Sequence, residues 1–186
     1  MPDVVDLIKA QHKAVDALLE QAQSAEGTQV RDLLVQVRDL LVPHSDAEES
    51  FVYPAIRERD TSEASQVKDG VAEHHHIDLL LKQLLTEKPG GPGYDGKLAA
   101  FVGELRHHVE EEENDLLPVL KEKATAAERE SMGARFMEET GDDGSAVGPS
   151  SGPTKQELYE KAKEQGIEGR STMTKDELAK AVDADS

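Results

Sequence analysis

The 186-residue chain contains no cysteine and no tryptophan, and aromatic residues make up only 3% of it. Without cysteine there is no disulfide, no cysteine-ligated iron–sulfur cluster and no thiol nucleophile. With so few rings the core has to be aliphatic, and the Leu, Val and Ala that dominate the sequence favour helices. Basic residues are also scarce. Lys and Arg number 21 against 39 Asp and Glu, a formal net charge of −18 that falls mostly in the first 140 residues. Such a surface repels nucleic acid and anionic membrane but tolerates cations. No apolar run approaches the ~20 residues needed to cross a bilayer. The start, MPDVVDLIKAQHK, lacks the basic and apolar stretches of a secretory signal. A soluble cytoplasmic protein with no membrane partner is expected.

Hydrophobic residues are 37% of the chain, enough to build a core. Four long amphipathic segments are predicted over residues 3–25, 28–59, 62–87 and 95–123, with Asp3 as the first N-cap. Pro43 and Pro54 predict a kink or a break in the second segment, and Pro118 lies near the end of the fourth. The loop KPGGPGYDG separates the third from the fourth, and Met132, Phe136 and Met137 suggest a shorter fifth helix over residues 125–139. The expected fold class is all-α. Short connections favour an antiparallel, up-down-up-down four-helix bundle over residues 1–140. Residues 141–153, GDDGSAVGPSSGP, read as a flexible linker, and residues 154–186 as a small helical module.

All seven histidines precede position 109, and each of the four segments carries at least one. At 3.6 residues per turn, His12, His44, His74 and His108 share faces with apolar residues. Glu48 and Glu112 follow their histidines by one turn on the same face. Asp78 follows His74 in the same way, nearer the edge of its stripe. Asp16, His75, His76 and His107 fall on polar faces, Glu49 points away, and of residues 110–114 only Glu112 points inward. A single His on an apolar face is ordinarily a hydrogen-bonded core residue, and one HxxxE is a weak signal. Four in register on four helices are not ordinary core design, because an unpaired buried carboxylate costs several kcal/mol or more. A bound metal explains the cluster most simply. The i, i+4 spacing places both side chains of a pair on one side of a helix, about 6 Å apart along its axis.

These residues resemble the hemerythrin-like, or HHE cation-binding, family. The matching stretches are AQHKAV with His12, HSDAEESFVYPAI with His44 and Glu48, AEHHHIDLLL with His74, and HHVEEEENDLLP with His108 and Glu112, within residues 3–123. The resemblance implies two iron ions, oxo- or hydroxo-bridged, with His12, His44, His74 and His108 as terminal ligands and Glu48 and Glu112 as bridges. Oxygen-carrying members have a further histidine where this chain has Asp78. Asp78 is therefore expected as an oxygen ligand or beside an open position where substrate binds, which weakens the case for reversible O2 carriage and admits Mn or Zn. The resemblance implies a protein that binds or reduces O2, peroxide or nitric oxide, with redox turnover left open. The alternatives are a metal or gas sensor and an iron store or donor.

The tail, TKQELYEKAKEQGIEGRSTMTKDELAKAV, resembles helix–extended–helix modules of the SAP and Rho N-terminal type. Leu158, Tyr159 and Ala162 predict one amphipathic helix that ends at Gly166, with Ile167 in the turn. Thr174 and Glu177 form a capping-box pattern ahead of Leu178, Ala181 and Val182. The resemblance implies a nucleic-acid contact through residues 154–182, with Lys155, Lys163, Arg170, Lys175 and Lys180 as its basic side. The plainer expectation is a stabilising or protein-binding tail. The sequence does not set the oligomeric state.

Overall fold

The computed structural model describes residues 2–142, together with Leu158, residues 161–163, Gln165, Ile167 and residues 180–182. The first 140 residues form an all-helical bundle. Helix α1 spans Val4–Ser24 and α2 spans Thr28–Ala47. A π-helical turn, Glu48–Val52, carries α2 directly into α3, Tyr53–Arg59. After a short 3-10 turn, Thr61–Glu63, α4 runs over Ala64–Thr86. Helix α5, Tyr94–Glu111, passes through a second π turn, Glu112–Leu116, into α6, Leu117–Lys123. Helix α7, Ala126–Thr140, is the fifth helix expected from the sequence. The four rods α1, α2–α3, α4 and α5–α6 are joined by short connections and form the expected bundle.

Local chemistry sets the ends. Asp3 Oδ1 accepts from Val5 N at 3.0 Å, and Asp60 Oδ1 accepts from Ser62 N at 3.1 Å. Thr125 and Glu128 form a reciprocal capping box ahead of α7. The helix runs through Pro43 without a break. Pro54 and Pro118 each sit just after a π turn, in which Tyr53 N donates to Glu48 O and Leu117 N donates to Glu112 O. Proline has no N–H for the carbonyl four residues back, so the regular ladder is already interrupted where the wide turns lie.

Every rod is apolar at both ends of the bundle and polar between them. One core cluster gathers Leu19, Leu34, Leu81, Leu84 and Phe101, and a second gathers Ile8, Val52, Ile56, Leu117 and Phe136. Along each rod a buried histidine falls between residues of the two clusters. Helix α7 closes over the second cluster. A Cβ built at Gly133 would lie 2.1 Å from Pro2 O, so glycine is what allows α7 to approach the chain start so closely.

Among the described residues of the tail, Leu158, Ala162 and Val182 are buried together with Ile167 against them. This agrees with the apolar positions expected there. The linker, Tyr159, Gly166 and the Thr174–Glu177 cap lie outside the described residues, apart from Gly141 and Asp142.

Candidate metal centre

The polar layer is built from the rods that cross it. His12 comes from α1, His44 from α2, His74 from α4 and His108 from α5, all buried. Glu48 and Glu112 open the two π turns and are 0% and 1% exposed. The structure brings these six residues together, as the sequence pattern predicts. They form two donor sets, His12–His44–Glu48–Glu112 and Glu48–His74–His108. Glu48 belongs to both, with Oε1 2.9 Å from His44 Nε2 and Oε2 3.3 Å from His74 Nε2. Glu112 Oε2 lies 3.3 Å from His12 Nε2.

The outer nitrogens fix what the inner ones offer. His12 Nδ1 contacts Glu113 Oε1 at 2.9 Å, His44 Nδ1 contacts Gln11 Oε1 at 2.9 Å, His74 Nδ1 contacts Glu49 Oε1 at 3.0 Å, and His108 Nδ1 contacts Glu73 Oε2 at 2.8 Å. Each of these oxygens accepts, so each Nδ1 carries the proton and donates. In the neutral rings, every Nε2 lone pair then points inward. The His12 and His44 Nε2 atoms stand 3.2 Å apart, and those of His74 and His108 3.0 Å apart. All four carboxylate oxygens of Glu48 and Glu112 are buried with no hydrogen-bond donor. The nitrogens near them bring lone pairs rather than protons. Inward lone pairs facing orphaned carboxylates in a dry layer fit a cation.

Without a cation, protons must compensate the charge. Burial lowers the His12 pKa, but contacts with Glu112 and Glu113 outweigh it and hold His12 up at about 10. His74 is raised in the same way against burial by Glu48 and Glu49. Burial and then the charge on His74 push His108 down. Burial raises Glu48, but His44 and His74 outweigh it and hold its carboxyl well below the ordinary value.

Asp78 is not brought into the layer. The inward stripe of α4 is Val67, Gly70, His74, Ile77, Leu81 and Leu84, so Ile77 takes the place the sequence reading gave to Asp78. The Asp78 carboxylate instead pairs with Lys82 Nζ at 2.6 Å on the exposed side. Open space lies elsewhere. A cavity of about 340 Å³ reaches His12 and His44 between α1, α2 and α5, with Leu19, Leu41, Leu105 and Val109 on its walls. Arg106 and Asp16, paired at 2.7 Å, stand at its exposed side.

Three further groups escaped the sequence reading. Glu49 and Glu113 were expected to face solvent. The π turns depart from the 3.6-residue period on which that expectation rested, and both glutamates hold buried histidines of the layer. Tyr53 stacks on His74 with its hydroxyl 3.5 Å from Nε2, beside Gly70, where a Cβ would lie 3.2 Å from that hydroxyl. Burial, then the charges of Glu112 and Glu48, raise the Tyr53 pKa, so the phenol keeps its proton. Gln11 and Glu73 each precede a histidine in sequence yet hold a histidine of the next rod. Two of the exposed histidines pair with nearby acids, His76 with Glu104 and His107 with Glu111, and His75 is exposed as well, as expected of polar faces.

No helix among the described residues is long and apolar enough to cross a membrane. The chain is 24% identical over 139 residues to a protein named DNA nickase from Nostoc sp. (strain PCC 7120), a match covering 72% of this chain and 38% of that protein. The chain therefore aligns with well under half the length of this curated relative. No solved structure matches it. The profile of the hemerythrin HHE cation binding domain matches residues 3–120. Family, fold and buried donor set agree, and the chain belongs to the hemerythrin HHE cation-binding family.

Proposed function

We propose that this chain is a non-haem di-iron protein that binds or reduces a small oxidant: O2, peroxide or nitric oxide. The observation that carries the reading is the buried pair of carboxylates, with all four oxygens lacking donors, between two pairs of inward-facing imidazoles. His12 and His44 would hold one ion and His74 and His108 the other, with Glu48 and Glu112 shared between them. Bound there, a pair of irons supplies a ferrous–ferric couple and room for a small ligand.

The protein's own part is to position and to screen. Glu49, Glu73, Glu113 and Gln11 hold the imidazole tautomers. The two apolar clusters keep bulk water from the layer. The apolar cavity against His12 and His44 admits a small molecule. Tyr53 Oη, protonated and buried next to His74 Nε2, is a hydrogen-bond donor held within the layer.

Metal analysis with an ultraviolet–visible spectrum tests the reading. Protein purified aerobically with iron should hold about two irons per chain, set by the two donor sets, and show ferric charge-transfer bands. The bands should bleach on reduction and return with one of the three oxidants. Iron-free protein, or bands indifferent to all three, would sink it. A stable zinc centre would keep the site and remove the redox role.

The similarity to a protein named DNA nickase favours one second reading, an adaptor in which the bundle senses metal or gas and residues 154–182 contact nucleic acid. A gel shift lost on deleting residues 154–186 would support it, and no shift at low salt would dismiss it. Iron storage or donation predicts rapid loss of iron to a weak chelator.

A further inference from the structure

The centre has an internal two-fold pattern. Gln11–His12 on α1 corresponds to Glu73–His74 on α4, and His44, Glu48, Glu49 and Pro54 correspond to His108, Glu112, Glu113 and Pro118. The outer contacts obey the same pattern. The second glutamate of each π turn holds the histidine of α1 or α4, and the residue before that histidine holds the one on α2 or α5. Among the four outer contacts the chemistry breaks it at one pair: Gln11 is a neutral amide and Glu73 a carboxylate.

We infer that the two metal positions are unequal, with the His74–His108 position binding a divalent cation more tightly than the His12–His44 position because Glu73 stands where its counterpart is Gln11. This rests on the two-ion reading above. Both groups fix a tautomer, so both orient the ring. Only the carboxylate also makes the imidazole a stronger donor by drawing on its Nδ1 proton. Behind the rings, the charge on Lys9 acts in the same direction. Lys9 Nζ pairs with Glu113 at 3.1 Å and offsets the carboxylate behind His12. Among the described residues no lysine or arginine pairs with Glu49 or Glu73. Gln11 and Glu73 are thus positioning residues that differ in charge.

Stepwise Co2+ titration of the metal-free full chain tests this, followed by absorbance and calorimetry at one fixed pH. Two like charges that share Glu48 repel each other, so unequal steps alone decide nothing, and the variants carry the test. Glu73→Gln should weaken the first step by ~10–100-fold, the range for losing an outer partner of a ligand. Gln11→Glu should leave the first step within about twofold and tighten the second by a comparable factor. Both changes are near-isosteric, and circular dichroism should show folded chains. Equal effects of each variant on both steps, or effects on the opposite steps, would overturn the inference while leaving two ions in place. A wild-type chain that takes up fewer than two ions would overturn the two-ion reading, and this inference with it.

Discussion

Glu49 and Glu113 stand in equivalent places on opposite sides of the bundle, the first accepting from His74 Nδ1 at 3.0 Å and the second from His12 Nδ1 at 2.9 Å. Neither belongs to a donor set, and each fixes the direction of an imidazole that does. Replacing either with alanine is expected to cost ~10–100-fold in metal affinity with little change in helix content. Competition against a chromophoric chelator reads this directly. An affinity unchanged in both variants would remove them from the site.

Metal should stabilise the bundle through Glu48 and Glu112. At a free concentration about 100 times Kd, one bound ion adds ~2.7 kcal/mol, or roughly 5–10 °C in Tm for a chain of this size. The double variant Glu48→Leu, Glu112→Leu should lose that response. Its metal-free form should be as stable as the wild type or up to ~4 kcal/mol more so, since buried ionised groups are replaced by apolar ones. Thermal melts with and without metal measure both effects. A double variant that still gains stability from metal would place the ion elsewhere.

The pH dependence should change sign with metal. His12 rises from its ordinary 6.5 to about 10 in the folded chain. A raised base contributes stability that is complete below about pH 6.5 and is lost as the pH climbs through about 10. Glu48, held below its ordinary 4.5, contributes stability present above that value and lost as the pH falls through its folded pKa. The metal-free bundle should therefore be most stable between about pH 4.5 and 6.5 and weaken toward alkali. A cation displaces the His12 proton, so metal affinity should rise over that alkaline range. Urea melts in chelator at several pH values test the first trend, and proton release on metal addition tests the second.

Asp78→Ala should leave metal affinity within about twofold of wild type, because an exposed pair with Lys82 contributes little beyond itself. A large loss would restore Asp78 to the centre.

The buried histidines and glutamates of the layer were legible because they obey the α-helical period up to the point where the wide turns begin. His44 and Glu48, like His108 and Glu112, lie four residues apart on ordinary helix, so counting finds them. The residues just beyond do not follow the count, and Glu49 and Glu113 were lost for that reason. A usable signal was present: each ligand glutamate is followed by another glutamate and, five residues later, by Pro54 or Pro118. Gln11 and Glu73 depend on which rod lies alongside, and periodicity within one helix carries no such information. Asp78 was misplaced because the apolar stripe of α4 runs through Ile77 rather than beside Asp78.

Gly133→Ala should loosen α7 by ~1–3 kcal/mol, since its methyl would meet Pro2 O and backbone there has little freedom to move. Phe136 lies edge-on to His44 with centroids 5.6 Å apart, so the variant should also disturb that ring. Denaturant melts give the first effect. Ser131→Ala, an exposed change on the same helix, serves as the control.

A π turn is a regular helix that has accepted one additional residue, and each such insertion rotates everything downstream by about 100°. Val52, Tyr53 and Ile56, like Leu117 and Leu120 on the other rod, therefore face the core on a different phase from the histidine upstream. Removing a single residue between positions 49 and 52 would straighten that rod and, because the count then matches a regular helix, leave its lower half facing the core; what it would lose is the wide turn that Glu48 opens. The spacing of the chain, as well as its composition, ties the chemistry of this layer to the folding of the bundle beneath it.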